Sequence, residues 1–134
     1  MLGSLSFAFS SSVEAVVTAT KAVAPTSTIV TATIYHAVPE QTNSDPSHTA
    51  SMKKIDLSNP AKHRIIAVSR DLEKLGFALG STVTISNAGK MNGIWYIEDR
   101  MNKRWVKRID FLVNTSTKGG KWHNVKVTLV TAVK

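Results

Sequence analysis

Two aspartates stand eleven residues apart, Asp99 in the word YIEDRM and Asp110 in RIDFL, each within or ending a β-prone run. A carboxyl group serves as a general acid near neutral pH when its pKa is raised. Burial does this, and so does a second carboxylate that disfavours another negative charge nearby. The pair is therefore the candidate for acid–base chemistry. Arg100, Arg104 and Arg108 crowd the same segment and oppose it, because a guanidinium close to an aspartate favours the ionised form. A duller reading of Asp99 stays open beside the first: an aspartate ending a strand commonly pairs with an arginine or accepts backbone hydrogen bonds in a turn.

Other chemistries find less support. The chain has no cysteine, which excludes disulfides, thiolate nucleophiles and cysteine-ligated zinc. His36, His48, His63 and His123 are not at metal-ligand spacing and form no triad with carboxylates, so no metal or other cofactor is expected. No serine sits in a GxSxG context, and GSTVT and KGGK lack the phosphate-cradling signature of nucleotide hydrolases.

The 134 residues fit one domain and carry a formal charge of +8, unevenly spread. Residues 51–134 hold sixteen Lys/Arg against six Asp/Glu, a net of +10. Such a surface attracts polyanions, whether nucleic acid, anionic lipid or wall polymer, or simply keeps the protein soluble. Trp105 lies among Lys103, Arg104, Lys107 and Arg108, a basic–aromatic strip suited to sugars or bases. Trp105 and Trp122, flanked by polar residues, are surface candidates, whereas one of Trp95 and Tyr96 must turn inward on a strand. No apolar run reaches membrane-spanning length.

Residues 1–26 are poor in charge, rich in Ser, Ala, Val and Thr, and close at Pro25, which sets an arm apart from a domain over residues 27–134. The arm lacks the positive start of a signal peptide, and serines 10–12 cut its apolar run short. The expectation is that residues 1–25 are held by neighbouring subunits. VVTAT at Val16 recurs as IVTAT at Ile29, a coincidence of β-prone words rather than a repeat. From Ser27, STIVTATIY reads as a strand, HAVPEQTNSDPSHTAS as a long loop and RIIAVS as a buried strand. Ser69 caps one or two helical turns over RDLEKLGF, stopped by Gly76. GSTVTIS, GIWYIED, RIDFLVN and VKVTLVTAV complete six strands, with TSTKGGKWHN a polar connection before the last. Six short strands and one small helix predict an all-β fold, a closed barrel.

The words TATIY, TAS, IIAVSRDL, GSTVTI, GIWYIEDRMNKR, RIDFLV and VKVTLV, in that order, resemble the three-aspartate (3D) domain. That family is a six-stranded double-psi β-barrel related to membrane-bound lytic transglycosylase A and the stationary-phase muralytic enzymes, and more remotely to RlpA and expansins. The resemblance covers roughly residues 29–131 and implies that Asp110 matches the catalytic carboxylate and Asp99 its partner. Candidate substrate contacts are Tyr35 in TATIY and Thr49 in TAS, Asp71 if it substitutes for the family's first aspartate, and Arg104 and Trp105 of the basic–aromatic strip. The chain departs from the pattern in three places. Ser69 stands where the family's first aspartate follows Ala67 and Val68, with Asp71 two positions on. Arg100, Met101 and Asn102 replace a glycine-rich turn, and Met52 replaces a loop glycine.

The resemblance implies cleavage of the bond between N-acetylmuramic acid and N-acetylglucosamine in peptidoglycan or another anionic polysaccharide, in a cell envelope or extracellular setting or on a virion. The alternative is a non-catalytic structural component of a phage capsid or tail, assembled through its arm. Nucleic-acid binding through the basic strip is the third reading.

Overall fold

The computed structural model describes residues 25–42 and 45–131; residues 1–24, which include the expected arm up to its end at Pro25, lie outside them. Six strands follow one another: β1 (Ser27–His36), β2 (Ile65–Val68), β3 (Thr82–Ser86), β4 (Gly93–Arg100), β5 (Arg108–Val113) and β6 (Lys121–Leu129). They close into a barrel in the order β1-β5-β2-β4-β3-β6. The β1/β5 and β2/β4 pairs are parallel, and the other four are antiparallel. The expected six-stranded, mainly β barrel is thus observed. No helix among the described residues is long and apolar enough to cross a membrane.

Alternation builds the interior. Val30 and Ala32 of β1, Val83 and Ile85 of β3, Trp95 and Ile97 of β4, Ile109 and Phe111 of β5, and Val125 and Val127 of β6 all turn inward, each buried. A second, smaller cluster of Tyr35, Ile55, Ile65, Ala67, Met101 and Leu112 lies outside the barrel wall. β2 is covered on both faces, which is why IIAV is continuously apolar instead of alternating.

The connections depart from expectation in detail. Helix α1 (Arg70–Lys74) is a single five-residue turn. Ser69 precedes it, but its hydroxyl makes no cap; fully buried, it accepts the backbone N–H of Arg108 at 3.0 Å. Gly76, at φ +109, ends the turn in the left-handed conformation a glycine adopts without cost. Short 3-10 turns at Pro39–Gln41, Pro60–His63 and Gly89–Met91 punctuate the loops. β6 begins four residues earlier than VKVTLV suggests. Trp122 faces Ala32 and Val125 faces Val30, so His123 and Asn124 stand opposite Thr31 alone. This bulge places Asn124 at φ +57, a conformation asparagine tolerates, and lets the polar KWHN join the strand.

Gly120 fits because it has no side chain: a Cβ there would lie 2.8 Å from Trp122 and 3.2 Å from the Ile34 methyl. We expect Gly120→Ala to overpack this barrel end and lower stability by about 1–3 kcal/mol, read as a lower urea midpoint with an unchanged slope.

Candidate functional site

The barrel's register brings the two aspartates to one face. Asp110 of β5 is the partner of Thr33 on β1 and of Ala67 on β2, and Ala67 is in turn the partner of Asp99 on β4. Thr33, Asp110, Ala67 and Asp99 thus form one row across four neighbouring strands. At a strand spacing near 4.8 Å, the two acids lie roughly 10 Å apart at Cα, with a methyl group between them. Simple alternation from the inward Trp95 and Ile97 would turn Asp99 inward too. A register shift after Ile66, which leaves Glu98 without a β2 partner, turns Asp99 outward instead.

Both acids line an open groove of about 570 Å³, floored by Ala67 and walled by the long loop on one side and residues 100–105 on the other. The loop is tied down by the acids themselves. Ala50 donates its N–H to Asp99 Oδ1 at 3.0 Å, and Ser51 donates its hydroxyl to Glu98 Oε1 at 2.6 Å. Tyr35, almost wholly buried, donates its hydroxyl to Asp99 Oδ2 at 2.9 Å. Burial pushes the Tyr35 phenol well up, and the charges of Asp99 and Asp110 both add to this, so the ring sits within the field of both carboxylates.

Asp110 accepts a hydrogen bond from the Thr33 hydroxyl. Its carboxyl pKa is raised above the ordinary value of an aspartate. Burial is the cause, and it outweighs the opposing effects of the Thr33 bond and the Arg108 charge. Of the two causes expected from the sequence, burial acts here, and the neighbouring charge of Asp99 is not what lifts it. Asp99 for its part follows the duller reading in one respect, since it accepts backbone N–H groups from Ala50 and Arg100.

The arginines bordering the groove have other partners. No Lys or Arg nitrogen among the described residues lies within 4.0 Å of either groove aspartate. Arg100 is drawn away by Glu73, through Nε at 2.7 Å and a second nitrogen at 2.9 Å. Arg104 and Arg108 lie against the Trp105 ring, at 4.8 and 4.4 Å from its centroid. Trp105 therefore braces two guanidiniums, which limits its use as a sugar platform.

Of the substrate-contact candidates, Tyr35, Thr49, Arg104 and Trp105 line the groove with Asp99 and Asp110, and Asp71 does not. Asp71 accepts the backbone N–H of Lys107 at 3.0 Å, and Lys107 adopts φ +48 there. At the departures from the family pattern, Met52 keeps a glycine-like backbone at φ +70 and exposes its side chain at the groove. Residues 100–102 adopt no positive φ, and Met101 is buried against the outer cluster. Sequence reasoning missed Thr33, Ala67 and Glu73. Thr33 and Ala67 occur in the recognised words, but only the register shows that they flank Asp110.

No protein-family model, curated protein or solved structure matches the chain.

Removing Glu73 should free the Arg100 guanidinium, at the groove's border, to turn toward the aspartates. In Glu73→Ala we expect the carboxyl 13C titration of Asp110 to move to lower pH, for a stability cost of only ~0.2–1 kcal/mol because the ion pair is partly exposed. An unmoved titration would show that Arg100 is not restrained by Glu73. A raised native pKa means that ionised Asp110 is disfavoured in the folded state, so stability is full below the unfolded pKa and falls as pH rises through the native one. Asp110→Asn, which keeps an acceptor for Thr33, should therefore be more stable than the parent at neutral pH. That gain should fade as pH falls through the carboxylate range, as followed by thermal melts across pH.

Proposed function

We propose that the barrel acts on peptidoglycan as a lytic transglycosylase, cleaving the bond between N-acetylmuramic acid and N-acetylglucosamine with Asp110 as acid and then base. The observation that carries this is a carboxyl raised by burial, in an open groove, with no cation among the described residues paired to it. The resemblance of the sequence words to the three-aspartate domain supports the same residue.

In this reaction protonated Asp110 gives its proton to the glycosidic oxygen as the C1–O bond breaks. The carboxylate left behind then accepts the proton of the sugar's own C6 hydroxyl, as that oxygen bonds to C1 and closes an anhydro ring. Atoms and charge balance with no water added, and one side chain plays both parts in turn. Positive charge develops at the sugar in the transition state. Asp99, fixed by Tyr35 and Ala50, is a preorganised negative group on the same face. The Met52 side chain and the Trp105–Arg104 pair border the groove and restrict which strand conformations enter.

Purified sacculi digested with the protein should release anhydromuramic muropeptides, separable by chromatography and identified by mass. Asp110→Asn should cut the yield by about 10²–10⁴-fold. Tyr35→Phe, which frees Asp99 but leaves Asp110 in place, should lower it less. Absence of anhydro products from the parent protein, or full activity in Asp110→Asn, would refute the assignment.

A further inference from the structure

A second opening lies where the C-terminal ends of β1 and β5 meet the N-terminal ends of β4 and β6. It encloses about 210 Å³ and shares no lining residue with the acidic groove. Its walls are the indoles of Trp95 and Trp122 and the side chain of Met91, with Arg64 and Lys90 at its edge. Both indoles rest on Phe111 in the interior, Trp95 tilted at 4.7 Å between centroids and Trp122 edge-on at 5.5 Å, so the walls are backed by core.

Its polar groups are of one kind. The Trp95 indole N–H is spent on the Met91 carbonyl at 2.7 Å, whereas that of Trp122 has no hydrogen-bond partner among the described residues. The Arg64 guanidinium stacks on Trp95 at 3.9 Å and is steadied by the carbonyls of Ile94 and Asn92. Neither Arg64 nor Lys90 has a carboxylate partner among the described residues. No Asp, Glu, Asn or Gln lines the opening. A sugar would find side-chain donors here and, apart from the Thr117 hydroxyl, nothing to accept from its own hydroxyls.

Backbone geometry keeps the space clear. Gly93 passes beneath Arg64, where a Cβ would meet the guanidinium at 3.2 Å, and Gly119 borders the opening with nothing within 4 Å of its missing side chain.

We infer that this barrel-end pocket binds a small aromatic carboxylate, its ring against Trp122 and Met91 and its anionic end on Lys90 and Arg64. The opening, about 210 Å³, has room for one ring and a short acidic arm. The inference stands apart from the proposed activity, because it concerns another face and needs no chemistry.

The probe is phenylacetate, with 2-phenylethanol as its uncharged counterpart, titrated into the full chain labelled with 15N. The three indole N–H signals are assigned by single Trp→Phe variants. Phenylacetate should shift the Trp122 signal saturably, with a millimolar dissociation constant fitting a ligand of about ten heavy atoms, and leave Trp105 unmoved. 2-Phenylethanol should bind about tenfold more weakly, the value of one charge-assisted contact. Exposed Lys90 can change without loss of packing, so Lys90→Met should weaken phenylacetate about tenfold and leave 2-phenylethanol unaffected. Any of three results would overturn the inference: no saturable shift at Trp122, equal affinity for the two probes, or an affinity for phenylacetate unchanged by Lys90→Met.

Discussion

The groove depends on strand register. Asp110 lies between Ile109 and Phe111 on β5, and both of those neighbours are fully buried in the barrel. A slip of one residue would carry the aspartate into the interior and put two large apolar side chains outside. Interior packing, worth ~1.5–3 kcal/mol for each such side chain, therefore fixes where the acid points. Parallel pairing of β1 with β5, and of β2 with β4, then sets Thr33 on one side of Asp110 and Asp99 beyond Ala67 on the other. Ala67 matters through its size, because a larger side chain at that point of the row would rise between the two acids.

Electrostatics in the groove follows from how the basic groups are restrained. The segment from Arg100 to Arg108 is strongly cationic, yet Asp110 keeps a raised carboxyl because the guanidiniums have partners of their own. Arg100 is fixed by a carboxylate on α1, and Arg104 and Arg108 by an indole. Their charge still reaches the groove as a field, and Arg108 does lower Asp110 to a degree, but a field across solvent is weaker than a direct contact. Basic groups thus border the groove, while it holds a carboxyl that burial keeps from ionising easily.

Much of the barrel was legible because its strands carry clear alternation: Val83 and Ile85, Trp95 and Ile97, and Val125 and Val127 each turn inward as their spacing requires. What was hidden depends on residues far apart in the chain. The start of β6 was obscured by a bulge that only pairing with β1 reveals. Asp99 faces the groove through an irregularity opposite β2, against its own alternation. The fate of Arg100 rests on Glu73, twenty-seven residues away, and no spacing rule links the two. Ser69 looked like a helix cap by its place before α1, yet the turn is too short to repay capping, and its hydroxyl serves Arg108 instead. The grouping of Tyr35 and Thr49 with the two aspartates came from the order of the sequence words, which composition and periodicity alone would not have supplied.

β5 also connects the two faces of the molecule. At Asp110 it presents a carboxyl to the outer groove, and one residue later Phe111 sends its ring inward between Trp95 and Trp122. Because close-packed interiors do not deform smoothly, a change in the Phe111 ring would shift the indoles at the barrel end and the backbone carrying Asp110 together. The groove and the barrel-end pocket are thus distinct in chemistry, one acidic and one lined by donors, while sharing a strand as their common support. Alternation along β5 makes both possible: its outward residues are free to be polar because its inward residues supply the packing that holds the strand in place.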